Sequence, residues 1–197
     1  MDYITKLEKL IQRDNGVIST KVVSGVGIPR TYLSEFVKRG VLKRLERGIY
    51  ISKDYFDDEL YRIQLKYKQA VFSHDTALFL HGLVDKNHLQ YTVTMKTGYN
   101  TNNIKTNGIK VYTIKKELYD LGLIAIKTPF GHLVKTYDVE RTICDIIRSR
   151  SQIDTSILIY ALKSYSKCRD KNLTKLMSYA ENFNIANVLQ KYLNMLL

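Results

Sequence analysis

Apolar residues near the start of the chain recur with the period of amphipathic helices. The segment YITKLEKLIQRD has four of them at the i, i+3, i+4 spacing of one helix face: Ile4, Leu7, Leu10 and Ile11. Asn15 and Gly16 follow, and both tolerate the left-handed backbone of a helix end. The pattern therefore predicts a first helix that stops before Asn15.

Two further helices are predicted by their capping residues. The second begins at Ser19 or Thr20, whose hydroxyl groups suit an N-cap, and ends at the glycines of SGVG. The third begins at Pro29, because the first turn does not use the N–H that proline lacks, and it ends at Gly40. Its predicted apolar face consists of Leu33, Phe36 and Val37.

After Gly40 the period changes from helical to alternating. The segment VLKRLERGIYIS has a glycine between two β-prone runs, which predicts a small hairpin. Three helices followed by a hairpin, with a short turn between the second and third helices, is the order of a winged helix-turn-helix.

The rest of the chain mixes helical and strand-like patterns. We predict a helical stretch over 58–82, strands at LQYTVTM and IKVYTI around a polar loop, and an antiparallel pair at LIAIKT and HLVKTYD. From Val139 to the end the pattern is helical. The predicted fold class is α+β: a winged helix-turn-helix domain (1–54) followed by a larger mixed domain (55–197) with a small antiparallel sheet and a helical C-terminal part.

The net charge of +12 indicates which kinds of partner the protein binds rather than how it folds. Residues 1–53 carry eleven Lys and Arg against five Asp and Glu, a net +6, and the other 144 residues carry the remaining +6. The first quarter is thus several times more basic per residue. Nucleic acid is the first expected partner, an acidic membrane surface the second and an acidic protein the third.

The cysteines, the apolar runs and the N-terminal charges indicate which sites and which cellular location to expect. Cys144 and Cys168 lie far apart without a CxxC or nearby His spacing, so we expect free thiols rather than a zinc site or a disulfide. No apolar run approaches 18 residues, and MDYITKLEKL has charges where a signal peptide would be apolar. The expectation is a cytoplasmic protein with no membrane partner.

The third predicted helix and the hairpin combine a regular apolar pattern with six Lys or Arg residues in 28–52. The helix face opposite the apolar one is polar, and short polar groups and arginine are the side chains that read base edges in a major groove. Arg30, in the first turn, is the predicted bidentate contact to guanine, which is worth roughly 1–3 kcal/mol of discrimination.

Predicted DNA contacts come from the start of the second helix, the outer face of the third helix and the hairpin. They are Ser19, Thr20, Lys21, Arg30, Thr31, Tyr32, Ser34, Lys38, Arg39, Lys43, Arg44 and Arg47. If about five phosphates are neutralised, affinity should fall roughly 10²- to 10³-fold between 50 and 200 mM salt. The alternatives are a basic face without a ligand and a docking surface for an acidic protein, since winged helices also bind proteins.

An enzymatic alternative rests on the second part of the chain. His74 and His81 in FSHDTALFLHG are seven residues apart and would share a helix face, so a metal-dependent nuclease or nucleotide-modifying enzyme could use His74, Asp75 and Glu140. Packing and helix capping explain the same residues without catalysis. The four-residue spacing of Arg141 and Asp145 is typical of an ion pair on a helix surface. P-loop, GxGxxG, HExxH and GxSxG motifs are absent. We therefore predict no catalytic residue, metal or cofactor.

Four segments in this order resemble the AbiEi-type antitoxins, the transcriptional-regulator half of the AbiE abortive-infection toxin–antitoxin systems of bacteria. The segments are GIPRTYLSEFVKRGVLKRLERGIYI, FSHDTALFLHGL, YTVTMKTGYNT and KTPFGHLVKTYDVERTICDIIR. The first is shared with many winged-helix proteins, and the later three are more specific to this family. The resemblance covers essentially the whole length.

The resemblance implies more than the residue patterns do. It implies that the partner is double-stranded DNA. The N-terminal domain is expected to bind inverted repeats upstream of the protein's own genes and thereby to repress those genes. It also implies that the C-terminal domain counteracts a co-encoded nucleotidyltransferase-like toxin, AbiEii, by the type IV route, without a stable complex. No catalytic residue of the family maps onto the matching motifs.

Overall fold

The computed structural model of the chain describes residues 2–84 and 90–196. The chain divides into two compact units, Met1–Lys68 with Lys127–Val134, and Gln69–Ile126 with Lys135–Leu197. The predicted division after residue 54 concerns function and stays a prediction; as a compact body, the first unit also includes the residues up to Lys68.

The first unit contains short helices and a small antiparallel sheet. Its elements are α1 (Tyr3–Arg13), β1 (Val17–Ser19), α2 (Thr20–Gly25), α3 (Thr31–Lys38), β2 (Leu42–Glu46), β3 (Ile49–Ser52) and α4 (Glu59–Lys66). The three N-terminal helices and the β2–β3 hairpin occur in the predicted order. The strand order is β1-β3-β2, with Ile18 opposite Tyr50, so β1 adds a third strand that the sequence reasoning missed.

Local capping explains where these helices begin and end. The Ser19 hydroxyl accepts a hydrogen bond from the Val22 N–H at 3.3 Å, which confirms the predicted N-cap of α2. Asn15 and Gly16 have φ of 44° and 81° after the end of α1, the left-handed conformation that the sequence predicted there. Helix α3 begins at Thr31 rather than at Pro29, two residues later than predicted.

The apolar faces of these elements pack into one cluster. Leu33 and Phe36 of α3 are fully buried, as predicted, whereas Val37 is only half-buried at its edge. The other buried members are Leu7, Leu10, Ile11, Ile18, Val23, Ile28 and Leu42. With its apolar side fixed in this cluster, α3 presents its polar side to solvent.

The second unit holds most of a five-stranded sheet and the C-terminal helices. Its elements are β4 (Val71–Phe72), α5 (His74–Leu80), β5 (Thr92–Lys96), α6 (Asn102–Thr106), β6 (Lys110–Ile114), α7 (Lys116–Tyr119), β7 (Leu123–Lys127), β8 (Leu133–Tyr137), α8 (Val139–Arg148), α9 (Thr155–Lys167), α10 (Leu173–Asn182) and α11 (Ala186–Leu196). Strands β7 and β8 extend into the 127–134 segment, which is counted with the first unit. The predicted helical pattern from Val139 onward is confirmed.

The prediction of a small antiparallel sheet in this part is wrong. The strand order is β6-β5-β4-β8-β7, and the sheet is mixed: β5 pairs with β6 and β4 with β8 in parallel, while β4 and β5 are antiparallel. Parallel neighbours need a crossover rather than a tight hairpin. The polar segment between β5 and β6 supplies it, because it contains the short helix α6.

The predicted continuous helical stretch over 58–82 is also wrong. It breaks into α4, the two-residue strand β4 and α5. Val71 pairs with Thr94 and Phe72 with both Val93 and Thr136, so partners distant in sequence determine this strand. A run of two residues is too short to show a period of its own.

Helix α8 is buried along most of its length, contrary to the surface helix that the sequence suggested. The predicted pair of Arg141 and Asp145 is present, with 3.0 Å between Nε and Oδ2, but both side chains are 0% exposed. The Arg141 guanidinium also donates to the carbonyls of Leu118 and Leu121 at 2.8 and 2.6 Å. The pair is therefore part of the core of the second unit rather than of its surface.

Candidate nucleic-acid interface

A basic groove of about 940 Å³ lies on the first unit, and seven of the twelve predicted DNA contacts line it. We call it the groove; its walls come from α2, α3, the β2–β3 hairpin, and α4 with the residues just after it. The lining residues are Ser19, Thr20, Lys21, Ser24, Arg30, Leu33, Ser34, Arg44, Glu46, Arg47, Gly48, Ile49, Tyr50, Leu65, Lys66 and Lys68.

The charge of the groove is strongly positive. Six lining residues are cationic, namely Lys21, Arg30, Arg44, Arg47, Lys66 and Lys68, and one, Glu46, is acidic. The Glu46 carboxylate is held by two cations of α4, with Lys66 Nζ at 2.8 Å and Arg62 Nη1 at 3.7 Å. Since its acid is paired, the groove presents an almost purely cationic surface to an incoming ligand.

Helix α3 contributes two predicted contacts to the groove directly. Arg30 and Ser34 line it, and Thr31 and Lys38 are exposed on the same helix. The Arg30 Nε donates a hydrogen bond to the Ser24 hydroxyl at 3.3 Å, which holds the guanidinium between α2 and α3. Arg30 is the N-cap residue of α3, so its side chain leaves the helix at its first turn.

Ser19 and Thr20 line the groove but are engaged in holding its walls. Ser19 caps α2, as described above. The Thr20 N–H and hydroxyl both donate to the carbonyl of Gly48, at 2.8 and 3.3 Å, and so fix the tip of the hairpin against the start of α2. Lys21, the next residue, is exposed and lines the groove. The hydroxyls therefore position the cations of the groove.

Two other predicted contacts pack within the first unit rather than lining the groove. The Tyr32 ring is half-buried and tilted against Tyr3, with 5.3 Å between ring centroids. Arg39 lies over the Phe36 ring at 5.4 Å and pairs with Glu35 at 3.8 Å. These contacts stabilise the two flanks of α3.

The two faces of the hairpin differ. Arg44 and Arg47 line the groove, and the Arg44 Nε donates to the carbonyl of Glu46 at 3.2 Å. Lys43 is exposed on the same strand but does not line the groove, because adjacent residues of a strand point to opposite faces. The hairpin thus directs two of its three predicted cations into the groove.

Sequence reasoning missed the contribution of α4 to the groove. Lys66 and Lys68 lie beyond the predicted domain end at residue 54, within the basic run QLKYK. The run is visible in the sequence, but its position beside the hairpin depends on the packing of α4. That packing includes the contact of Leu65 with the cluster of Val17, Ile49 and Ile51.

Two residues of the enzymatic alternative, His74 and Glu140, are engaged in contacts inside the second unit. The His74 ring is fully buried, stacks on Tyr112 at 3.6 Å between centroids, and lies within hydrogen-bond distance of the Ser73 and Ser149 hydroxyls at 2.9 and 3.1 Å. The Glu140 carboxylate accepts hydrogen bonds from the Tyr165 hydroxyl and from the Asn172 N–H. In the part of the chain that the structure describes, no group of three His, Cys, Asp or Glu side chains could hold a metal ion.

Burial controls the ionisation of the reactive side chains in this unit. It raises the pKa of the Cys144 thiol to about 12, so this sulfur is a buried thiol rather than a nucleophile. For His74, burial together with the nearby cations Arg148, Lys110 and Arg141 lowers the pKa well below its ordinary value of 6.5. The folded protein therefore keeps a neutral imidazole in its core.

The neutral His74 predicts a loss of stability in acid. Below pH 6.5 the unfolded chain takes up a proton at this position and the folded chain does not, so the free energy of unfolding falls as pH decreases. Between pH 7.5 and 5.5 the loss should be about 1.4 kcal/mol. His74→Asn, chosen because His74 has φ of 50° and asparagine tolerates that conformation, should show less pH dependence in urea unfolding by this amount. Equal pH dependence of the two proteins would contradict a neutral His74.

Comparisons with known proteins bear on both units. Residues 6–53 match a family model described as transcriptional regulator, AbiEi antitoxin. In fold, the chain is similar to the crystal structure of the RV2827C protein from Mycobacterium tuberculosis, with a TM-score of 0.57 over 91% of this chain and 71% of that chain. The two are 13% identical in sequence, so this likeness concerns fold alone. No curated protein matches the sequence.

The family match coincides with the part of the chain that builds most of the groove. It includes α2, α3 and the hairpin, and it ends before α4. Within the ranges 2–84 and 90–196, no helix is long and apolar enough to cross a membrane. Residues 6–53 of this chain therefore match the AbiEi antitoxin family of transcriptional regulators, the family that the sequence motifs resemble.

Proposed function

We propose that this protein is a cytoplasmic DNA-binding autorepressor and antitoxin of a bacterial abortive-infection operon. The observation that carries the proposal is the groove, in which cations from α2, α3, the hairpin and α4 converge on one surface of the unit that contains the AbiEi-type domain. A polyanion is the ligand that such a surface attracts most strongly.

The first unit would bind DNA as a winged helix-turn-helix. In this mode α3 enters the major groove and the hairpin follows the phosphate backbone. Arg30, at the start of α3, would read guanine, while Thr31, Ser34 and Lys38 extend the polar surface along the helix. Arg44 and Arg47 would contact phosphates, which hold the protein in register without reading sequence.

The regulatory and antitoxic roles follow from the family of the N-terminal domain. We propose that the DNA target is a pair of inverted repeats upstream of the protein's own genes, so that binding represses their transcription. We further propose that the second unit counteracts a nucleotidyltransferase-like toxin encoded beside it, without a stable complex, as a phage-defence system. The buried positions of His74 and Glu140 favour this regulatory role over a catalytic one.

Sequence-specific binding is tested with the full chain and two duplexes of equal length. One duplex covers the region upstream of the protein's own gene, and the other has a random sequence. At 150 mM salt the upstream duplex should bind more tightly, and Arg30→Ala should reduce this preference by a factor of about 5 to 150, equivalent to roughly 1–3 kcal/mol for one bidentate base contact.

The matched control is Arg13→Ala. It removes the same charge from α1, where Arg13 is exposed, pairs with Asp14 and does not line the groove. This variant should keep the full preference for the upstream duplex. Equal affinity of the unmodified protein for both duplexes would overturn the proposal of sequence-specific binding.

A further inference from the structure

The end of α4 forms one rim of the groove, although it lies outside the family match at 6–53. Lys66 is the last residue of α4 and Lys68 follows two positions later, and both line the groove with cations of α2, α3 and the hairpin. They therefore contribute two of the six positive charges of a surface whose other four come from residues 21–47.

Glu46 gives this rim a second role. Its carboxylate lies in the wall of a groove that we propose faces DNA phosphates, where an unpaired negative charge would repel the ligand. Its two ion-pair partners, Lys66 and Arg62, both belong to α4. The Lys66 ammonium is the nearer, at 2.8 Å from Oε2. Helix α4 thus offsets the negative charge that the hairpin introduces.

From this placement we infer that α4 is part of the DNA-contact surface, with Lys68 contacting a backbone phosphate and Lys66 offsetting the charge of Glu46. The inference rests on the proposed DNA-binding function and extends it past the domain boundary at residue 54. A fragment that ends at that boundary would leave Glu46 without its two cationic partners.

The Lys68 contact is tested by the salt dependence of DNA binding. Each phosphate contact contributes about 0.9 to the slope of log affinity against log salt concentration for a DNA duplex. Lys68→Ala in the full chain should therefore make the slope shallower by about 0.9, on the upstream duplex and on a random duplex alike, because a phosphate contact carries no sequence information.

The control for this measurement is Lys9→Ala, which removes the same charge from an exposed position of α1 that does not line the groove. It should leave the slope unchanged. An unchanged slope for Lys68→Ala would overturn the phosphate contact, and so would an equal change for Lys9→Ala, since that outcome would report only the net charge of the protein.

The role of Lys66 is tested by a pair of substitutions. Lys66→Ala should weaken DNA binding by at most roughly three- to sixfold, the effect of one full unit charge about 4–6 Å from a phosphate in water. The loss is smaller to the extent that Arg62, 3.7 Å from Glu46, still offsets the carboxylate. Adding Glu46→Gln should restore the affinity, because the carboxylate that Lys66 offsets is then gone. If Lys66 only stabilised the fold, Glu46→Gln would leave the loss in place, and that result would overturn this part of the inference.

Failure of the inference and failure of the proposed function give different results. If the upstream duplex is preferred over the random one but the α4 variants bind like the unmodified protein, the proposed function stands and the DNA surface ends with the hairpin. If there is no preference but Lys68→Ala still makes the salt slope shallower on both duplexes, α4 contacts DNA and sequence-specific repression is wrong.

Discussion

Asp145→Ala should lower the free energy of unfolding by about 3–5 kcal/mol, the cost of removing one partner of a buried ion pair. Asp145 is 0% exposed and accepts hydrogen bonds from Arg141 at 3.0 Å and from Arg148 at 3.2 Å. Without it, the Arg141 guanidinium remains in the core, between the Tyr137 and Phe183 rings at 4.0 and 4.5 Å from their centroids. Two carbonyl oxygens would still accept from it, but its charge would have no buried counter-ion.

Two further variants make this prediction specific to charge burial. Asp145→Asn keeps an oxygen that accepts from Arg141 and should cost less than Asp145→Ala, in urea unfolding at pH 7.5. Glu35→Ala removes the acid of another i, i+4 pair, with Arg39, whose side chains are each 49% exposed. It should cost no more than about 1 kcal/mol, as exposed pairs do. Similar costs for Glu35→Ala and Asp145→Ala would contradict a buried network.

The difference between these two pairs marks a limit of sequence reasoning. Both pairs show the same spacing, and the sequence predicted a surface location for Arg141 and Asp145. Burial of that pair depends on Leu118, Leu121 and Phe183, which lie 20 or more residues away along the chain and supply two carbonyls and a ring. Spacing on one helix carries no information about such partners.

The N-terminal elements were predicted more completely because their signals are local. The cap at Ser19, the left-handed residues after α1 and the apolar face of α3 all depend on a few adjacent positions. Strands β1 and β4 were missed because three and two residues cannot show a period. Their existence depends on pairing with β3 and with β5 and β8.

The groove could be predicted in part. Its cations on α3 and the hairpin follow from the charge pattern and from the winged-helix order of elements. The roles of individual residues required the three-dimensional arrangement: Thr20 holds the carbonyl of Gly48, Tyr32 packs on Tyr3, and Lys66 pairs with Glu46. Each of these contacts joins elements separated along the chain, so neither period nor propensity could predict them.

Replacing Arg44 and Arg47 together by alanine should weaken DNA binding about 200-fold at 50 mM salt and roughly 20-fold at 200 mM. Both side chains are exposed on the hairpin and line the groove. Two lost phosphate contacts would make the slope of log affinity against log salt shallower by about 1.8, which gives these two factors when the effect is taken as zero at 1 M salt. Titration of the upstream duplex at both salt concentrations measures the change.

Lys43→Ala is the matched comparison for this double variant, because Lys43 is an exposed cation on the same hairpin that does not line the groove. It should change the salt slope by less than half as much as the double variant. An equal or larger change would mean that DNA contacts the opposite face of the hairpin.

If antitoxicity resides in the second unit, the double variant should still rescue cells that express the neighbouring toxin, although it no longer represses transcription. Loss of rescue by a stably folded double variant would instead tie antitoxicity to DNA binding.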